Sequence, residues 1–268
     1  MNKIESLKYL GVRIDYNVNK SNFITHFRDI LKKGNSKIYT VNPEFIVDSY
    51  FNTDFKKELN SSDINVIDGI GLLYGIRRYF KKSISEEKIK NIKTFTGVDL
   101  VEEILQIANE MGLSLFLLGG SSLKKTSKKA GDFIKKNYPK IKLIGYSSEF
   151  SFSEIDDVMT IDFIHSKMKE SNVNEIDILL VAYGHFKQEK WIGRNSSKVP
   201  ARVSVGVGGT LDYLSGNLKR APKIFRDFGM EWFYRLLTQP RRIIRIIKAT
   251  LIFSYLSNTL GKKNFSKK

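Results

Sequence analysis

In 268 residues there is no cysteine, and the only histidines are His26, His165 and His185. Disulfides, thiolate metal sites and cysteine nucleophiles are thereby excluded, and histidine-based metal ligation has few candidates. No Asp-X-Asp triplet, a common metal-diphosphate element, occurs anywhere in the chain. The Gly-Lys-Ser/Thr of a Walker A loop is missing too, which argues against ATP hydrolysis of that type. The opening MNKIESLKYLGVRID interleaves charged and apolar residues and lacks the apolar core of a secretory signal, so a cytoplasmic protein is expected. With no internal repeat or low-complexity tract, this length suits one large core, with or without an appendage.

What the chain has in excess is positive charge, +17 in formal terms. From Lys219 onward, thirteen Lys and Arg face only Asp227 and Glu231, so +11 of the +17 resides in the last fifth of the chain. Ile243, Ile244, Ile247 and Leu251 fall at helical spacing there, while Arg241, Arg245 and Lys248 fall on another face. An apolar stripe running beside the charge, with no nucleic-acid motif, argues against a nucleic-acid partner. Arg245 and Lys248 interrupt the stripe, which falls short of an apolar span of about 20 residues, so the helix is expected to lie on an anionic membrane surface. Packing on its own body, or on a second copy in a homo-oligomer, is the alternative.

Short apolar runs at 37–40, 64–67, 113–118, 141–144, 176–181 and 201–206 read as strands separated by helical patterns, an α/β architecture with a parallel sheet. Residues 98–111 carry the periodicity of an amphipathic helix, with Gly112 as its stop. Residues 79–93, rich in Lys, Ser and Glu, read as a solvated, mobile connection.

Ligands of such sheets bind beyond the carboxyl ends of the strands, so residues just after each run carry weight. Thr40-Val-Asn-Pro-Glu44 offers a hydroxyl and an amide, or simply a helix cap. Asp68-Gly-Ile-Gly71 places a carboxylate at a strand tip ahead of two glycines, again with capping as the plain alternative. Leu118-Gly-Gly-Ser-Ser122 offers backbone amides to a phosphate, or a tight turn alone. His185 reads as a surface residue. The corner Gly206-Val-Gly-Gly209, followed by Asp212 and Arg220, combines open backbone, a carboxylate and a cation.

In joint order these segments resemble the WecG/TagA/CpsF glycosyltransferase family. The resemblance is carried by Thr40-Val-Asn-Pro-Glu44, Asp68-Gly-Ile-Gly71, Thr96-Gly-Val-Asp-Leu100, Phe116-Leu-Leu-Gly-Gly120 and Lys187-Gln-Glu-Lys-Trp191. It continues through Gly206-Val-Gly-Gly-Thr-Leu-Asp212 with Gly216, Arg220-Ala-Pro222, Glu231-Trp-Phe-Tyr-Arg235 and Pro240-Arg-Arg242.

The resemblance implies a Rossmann-like catalytic domain over 1–222 and a basic helical, membrane-associating appendage over 223–268. It implies inverting transfer of an N-acetylmannosamine-type sugar from a UDP donor to a polyprenyl-diphosphate-linked sugar, without metal or other cofactor, in cell-envelope, capsule or teichoic acid synthesis at the inner face of the plasma membrane. Asp68 is the implied base. Thr40, Asn42, Gln188, Gly208, Gly209, Asp212 and Arg220 are the implied substrate contacts, and Arg235, Arg242 and Arg245 of the appendage complete the site. A mutual Asp212–Arg220 salt bridge shaping the turn is the structural alternative.

The chain departs from the family pattern at Thr94, where an Arg is usual and Lys93 is the available substitute, at Phe186 in place of Pro, and at Leu211 in place of Phe. The first departure leaves room for a non-catalytic UDP-sugar-binding scaffold at the membrane.

Overall fold

The computed structural model describes residues 4–81, 84–227, 231–238 and 243–263. At its centre lies one eight-stranded sheet made of β1 (Glu5–Tyr9), β2 (Val12–Tyr16), β3 (Ser36–Val41), β4 (Ile64–Ile67), β5 (Ser114–Gly119), β6 (Lys142–Ser147), β7 (Ile176–Ala182) and β8 (Ala201–Gly206), in the order β1-β2-β4-β3-β8-β7-β5-β6. All neighbours pair in parallel except β1 and β2. Parallel strands buried on both faces are near-continuous apolar runs, and all six residues of β5 are buried.

Side chains alternate between two helical layers. Phe116 and Leu118 of β5 join a core with α2 (Pro43–Phe51), α3 (Thr53–Ser61), α4 (Ile70–Phe80), α8 (Glu154–Glu170) and α9 (Lys187–Asn195). Leu115 and Leu117 join the opposite core with α1 (Lys20–Lys33), α6 (Gly97–Met111), α7 (Thr126–Asn137) and α10 (Thr210–Leu214). Helix α6 ends as its sequence predicts, at Gly112 in the left-handed region (φ 66°), where a side chain is disfavoured.

Strand β3 runs into α2 in the first layer, whereas its neighbour β8 runs into α10 in the second. Chains that leave adjacent strands towards opposite faces open a crevice beyond the strands' carboxyl ends.

Two features differ from the sequence reading. The opening segment, read only for its lack of a signal, is the antiparallel β1–β2 hairpin, turned by Leu10 and Gly11 with φ of 48° and 88°. The 79–93 connection, expected to be mobile, contains α5 (Glu86–Asn91) and ends at Ile92, which is fully buried. The tail is helical, as its sequence predicts, and forms α11 (Lys223–Asp227), α12 (Glu231–Thr238) and α13 (Ile243–Lys263).

Helix α13 packs on α2 and α4 through Ala249, Phe253 and Leu256, spaced for one helical face. Gly75 of α4 makes the crossing close, since a methyl group there would lie 2.6 Å from Phe253 Cζ and 2.7 Å from the Tyr9 hydroxyl. The Tyr9 hydroxyl also donates to Ser257 Oγ at 2.8 Å. Ile243, Ile247, Leu251 and Tyr255 form a separate, exposed ridge on the same helix. Docking on the body and an outward apolar stripe, read as alternatives, coexist on different faces. Among the described residues no helix is long and apolar enough to cross a membrane.

Candidate active site

Asp68 follows the last residue of β4, and its N–H donates to the Val41 carbonyl at 2.8 Å, extending the strand pairing by one step. Its Oδ1 accepts from the Gly97 N–H at 3.4 Å, so the carboxylate faces the first turn of α6, the end of a helix that attracts negative charge. Gly97 also allows a close approach of three elements. A methyl group there would lie 3.5 Å from Thr40 Cγ2 of β3 and 3.5 Å from Thr210 Oγ1 of α10. Asp68, Thr40 and Thr210 therefore converge around Gly97 at the mouth of the crevice.

Asn42 caps α2, its Oδ1 accepting from the N–H groups of Glu44 (2.9 Å) and Phe45 (3.4 Å). Capping, the plain reading of that residue, holds for the oxygen and fixes the amide beside Thr40.

Gly208 sits in the left-handed region (φ 51°), and no described atom lies within 4 Å of where a Gly209 side chain would begin. Gln188 sets this corner from below. It is 1% exposed, accepts from the Gly208 N–H through Oε1 at 2.8 Å, and donates through Nε2 to Glu189 Oε1 at 2.7 Å. Gly206 is held to glycine by the same pair, since a methyl group would stand 2.9 Å from both Gln188 Nε2 and Glu189 Oε1. Gln188 thus engages the corner's backbone from beneath.

Glu189 belongs to the Lys187–Trp191 segment of the family resemblance, which assigned it no role. Burial pushes its carboxyl up to about 7 against the lowering influence of the Gln188 hydrogen bond and His185, and Oε2 has no partner among the described residues. His185, read as a surface residue, instead packs on Phe45 at 4.5 Å between ring centroids and pairs with Asp48 at 2.6 Å.

The expected alternative for Asp212 and Arg220, a mutual salt bridge, is not formed. Asp212 accepts from the Thr126 hydroxyl at 3.2 Å, tying α10 to α7. Arg220 spans the first turns of α6 instead, 2.5 Å from Asp99 and 3.4 Å from Glu102. Burial alone would raise the Asp99 carboxyl, but the hydrogen bonds from Arg220 and Thr96 bring it below its ordinary value. Arg220 anchors the chain leaving α10 beside the helix end that Asp68 faces.

Gly119 and Gly120 are explained by packing: methyl groups would stand 2.8 Å from the Ala182 carbonyl carbon and 2.8 Å from Thr126 Cβ. Arg77 donates to the Ile92 carbonyl at 2.7 and 3.2 Å, placing a guanidinium just before Thr94. Arg235 and Arg245 belong to α12 and α13, with side chains outside the described part, and Arg242 lies outside the described residues. No three of His, Asp and Glu converge into a metal-ligating group among the described residues.

A doubly wound sheet with a strand-tip carboxylate, a glycine corner and a crevice between β3 and β8 defines an α/β fold with a candidate ligand site at its topological switch point. The sequence profile of the glycosyl transferase WecG/TagA/CpsF family matches residues 7–267, so the chain belongs to that family and is a glycosyltransferase. It is similar to the N-acetylglucosaminyldiphosphoundecaprenol N-acetyl-beta-D-mannosaminyltransferase of Bacillus subtilis (strain 168), 31% identical over 93% of this chain and 91% of that protein. It is also similar to the proteins of the same name from Bacillus spizizenii, 29% identical over 85% and 81% of the two chains, and Staphylococcus aureus (strain MRSA252), 28% over 81% and 78%.

Proposed function

We propose that this enzyme transfers an N-acetylmannosamine-type sugar from a UDP donor to a polyprenyl-diphosphate-linked N-acetylglucosamine, by a single inverting displacement. The observation that carries this reading is Asp68, set at a strand tip beside Thr40 and the N-terminus of α6, at the mouth of a crevice whose opposite lip is the Gly208–Gly209 corner. A sugar hydroxyl is a weak nucleophile, and Asp68 takes its proton as the new bond to the anomeric carbon forms. The nucleotide diphosphate leaves from the opposite side of that carbon, so the anomeric configuration inverts. Negative charge gathers on the leaving group, and open backbone at Gly209 with arginines of the tail neutralises it in place of a metal. Thr40 and Asn42 hold the sugars, and Arg220 orders the chain behind the corner. Residues 223–268 act as an appendage that brings the 1–222 body to the cytoplasmic face of the membrane, with the ridge of Ile243, Ile247, Leu251 and Tyr255 as the apolar contact.

The test is transfer from a panel of UDP-sugars to a short-chain prenyl-diphosphate-linked N-acetylglucosamine in EDTA. Wild-type product of inverted configuration, and a fall of roughly 10²- to 10⁴-fold in kcat for Asp68→Asn, are expected. Retained configuration, a requirement for divalent metal, or an unimpaired Asp68→Asn enzyme would each overturn the corresponding part.

A further inference from the structure

Between α4 and α13 runs a groove of about 270 Å³. One wall is Pro43 with Gly71, Tyr74 and Arg78; the other is Phe253 and Ser254. Gly71, Tyr74, Gly75 and Arg78 are spaced i, i+3, i+4 and i+7, a single face of α4. The face begins three residues after Asp68, and Arg78 lies about 10 Å further along the helix axis. The strip therefore starts beside the strand tip that carries Asp68.

The charge of the groove is one-sided. None of its lining residues is acidic, whereas Tyr74, Thr250, Ser254, Ser257 and Asn258 supply polar side chains. Arg78 is exposed and makes no ion pair or hydrogen bond with any described residue, unlike its neighbour Arg77, which is committed to the Ile92 carbonyl. A cation left unpaired in a groove free of carboxylates is complementary to a multiply charged anion, and a guanidinium matches phosphate oxygens in pairs. The α13 wall also carries the exposed ridge of Ile247, Leu251 and Tyr255, apolar surface on the element that closes the groove.

We propose that the groove between α4 and α13 seats the diphosphate of the lipid-linked acceptor, with Arg78 as its cation and the α13 hydroxyls as further donors. The proposal rests on the acceptor class put forward above and assigns the phosphates a place outside the nucleotide side of the crevice. The body and the docked tail each supply one wall, so acceptor binding reports on the docking of α13.

Transfer is compared on two acceptors bearing the same N-acetylglucosamine, one joined to a short prenyl chain by a diphosphate and the other to an alkyl chain by a single oxygen. The wild type is expected to prefer the diphosphate acceptor in kcat/KM. Arg78→Ala is expected to lose about tenfold or more of that preference with an unchanged donor KM, and Arg78→Lys to recover part of it. Ser254→Trp, which fills the groove from the exposed side of α13, should act in the same direction, with melting curves confirming the fold of each variant. Unchanged preference in both Arg78→Ala and Ser254→Trp overturns the proposal. So does weaker binding to phosphatidylglycerol vesicles with the acceptor preference intact, which would make Arg78 a contact for phospholipid headgroups. Should the wild type use neither acceptor, the underlying acceptor reading fails. Direct binding of farnesyl diphosphate then decides: loss of binding in Arg78→Ala supports a diphosphate site, and equal or absent binding in both proteins removes it.

Discussion

Glu189 places a carboxylate where no water-exposed surface remains, beneath the corner that Gln188 holds. With its folded pKa raised by burial from 4.5 to about 7, it keeps its proton over a range where the unfolded chain loses it. Folding stability is therefore predicted to fall as pH rises from about 4.5 to 7, by up to about 3 kcal/mol, and to level off above that. Glu189→Gln removes the titration, so urea unfolding at pH 5 and 7.5 should show a smaller loss than in wild type; an identical loss would mean the group is not titrating there. Gly206→Ala tests the same packing by volume. Its methyl would press on two buried, mutually hydrogen-bonded side chains, and a cost of about 1–3 kcal/mol is expected in the same unfolding experiment.

Among the elements, the α4–α13 crossing and the entry to α9 each rest on one backbone position. Gly75→Val would drive a branched side chain into Phe253 and Tyr9, and α13 should detach while the sheet stays intact. Hydrogen exchange over residues 249–257 should accelerate in this variant and remain slow in β5 and β7. Phe186 enters α9 at φ 70°, a conformation that costs a bulky residue on the order of 1–3 kcal/mol. It is held there by stacking on Phe55 at 4.8 Å and by the Lys190 ammonium 4.2 Å from its ring centroid. Proline, the family's usual residue here, is confined to negative φ. Phe186→Pro is thus predicted to lower the melting temperature, and an unchanged melt would show that the turn adopts another path.

These elements also mark how far sequence carries. The six parallel strands were legible because apolar runs end at turn formers, and Asp68 because a carboxylate followed by two glycines directly ends such a run. The β1–β2 hairpin was legible in principle from its alternation and its Leu10-Gly11 turn. Partnerships across the fold were not legible at all. Arg220 meets Asp99 over a separation of 121 residues, and Gln188 meets Gly208 over 20. Periodicity specifies which face a residue occupies and says nothing of which remote residue shares it.

For the whole molecule, positive charge concentrates in the tail, where α13 also carries an exposed apolar ridge and contributes Phe253 and Leu256 to the first core. Binding to phosphatidylglycerol vesicles is predicted to exceed binding to phosphatidylcholine vesicles and to weaken as salt rises, since exposed charges are screened within about 10 Å at 0.1 M. Equal binding to both lipids would assign attachment to the apolar ridge alone. Removal of residues from 235 onward is predicted to abolish most transfer to the lipid-linked acceptor. It should also destabilise the body, because Phe253 and Leu256 are part of the first core.

That shared core has a consequence for synthesis. Tyr9 and Ser257, joined by a hydrogen bond, lie 248 residues apart in the chain. A ribosome delivers the first hairpin long before the helix that clasps it, and the entropic cost of closing a loop rises only slowly with its length. While it is still being translated, the polypeptide can assemble its sheet and place Asp68, yet it lacks one wall beside that carboxylate. Until synthesis reaches α13, the α4 face around Gly75 and the Tyr9 hydroxyl therefore stands uncovered.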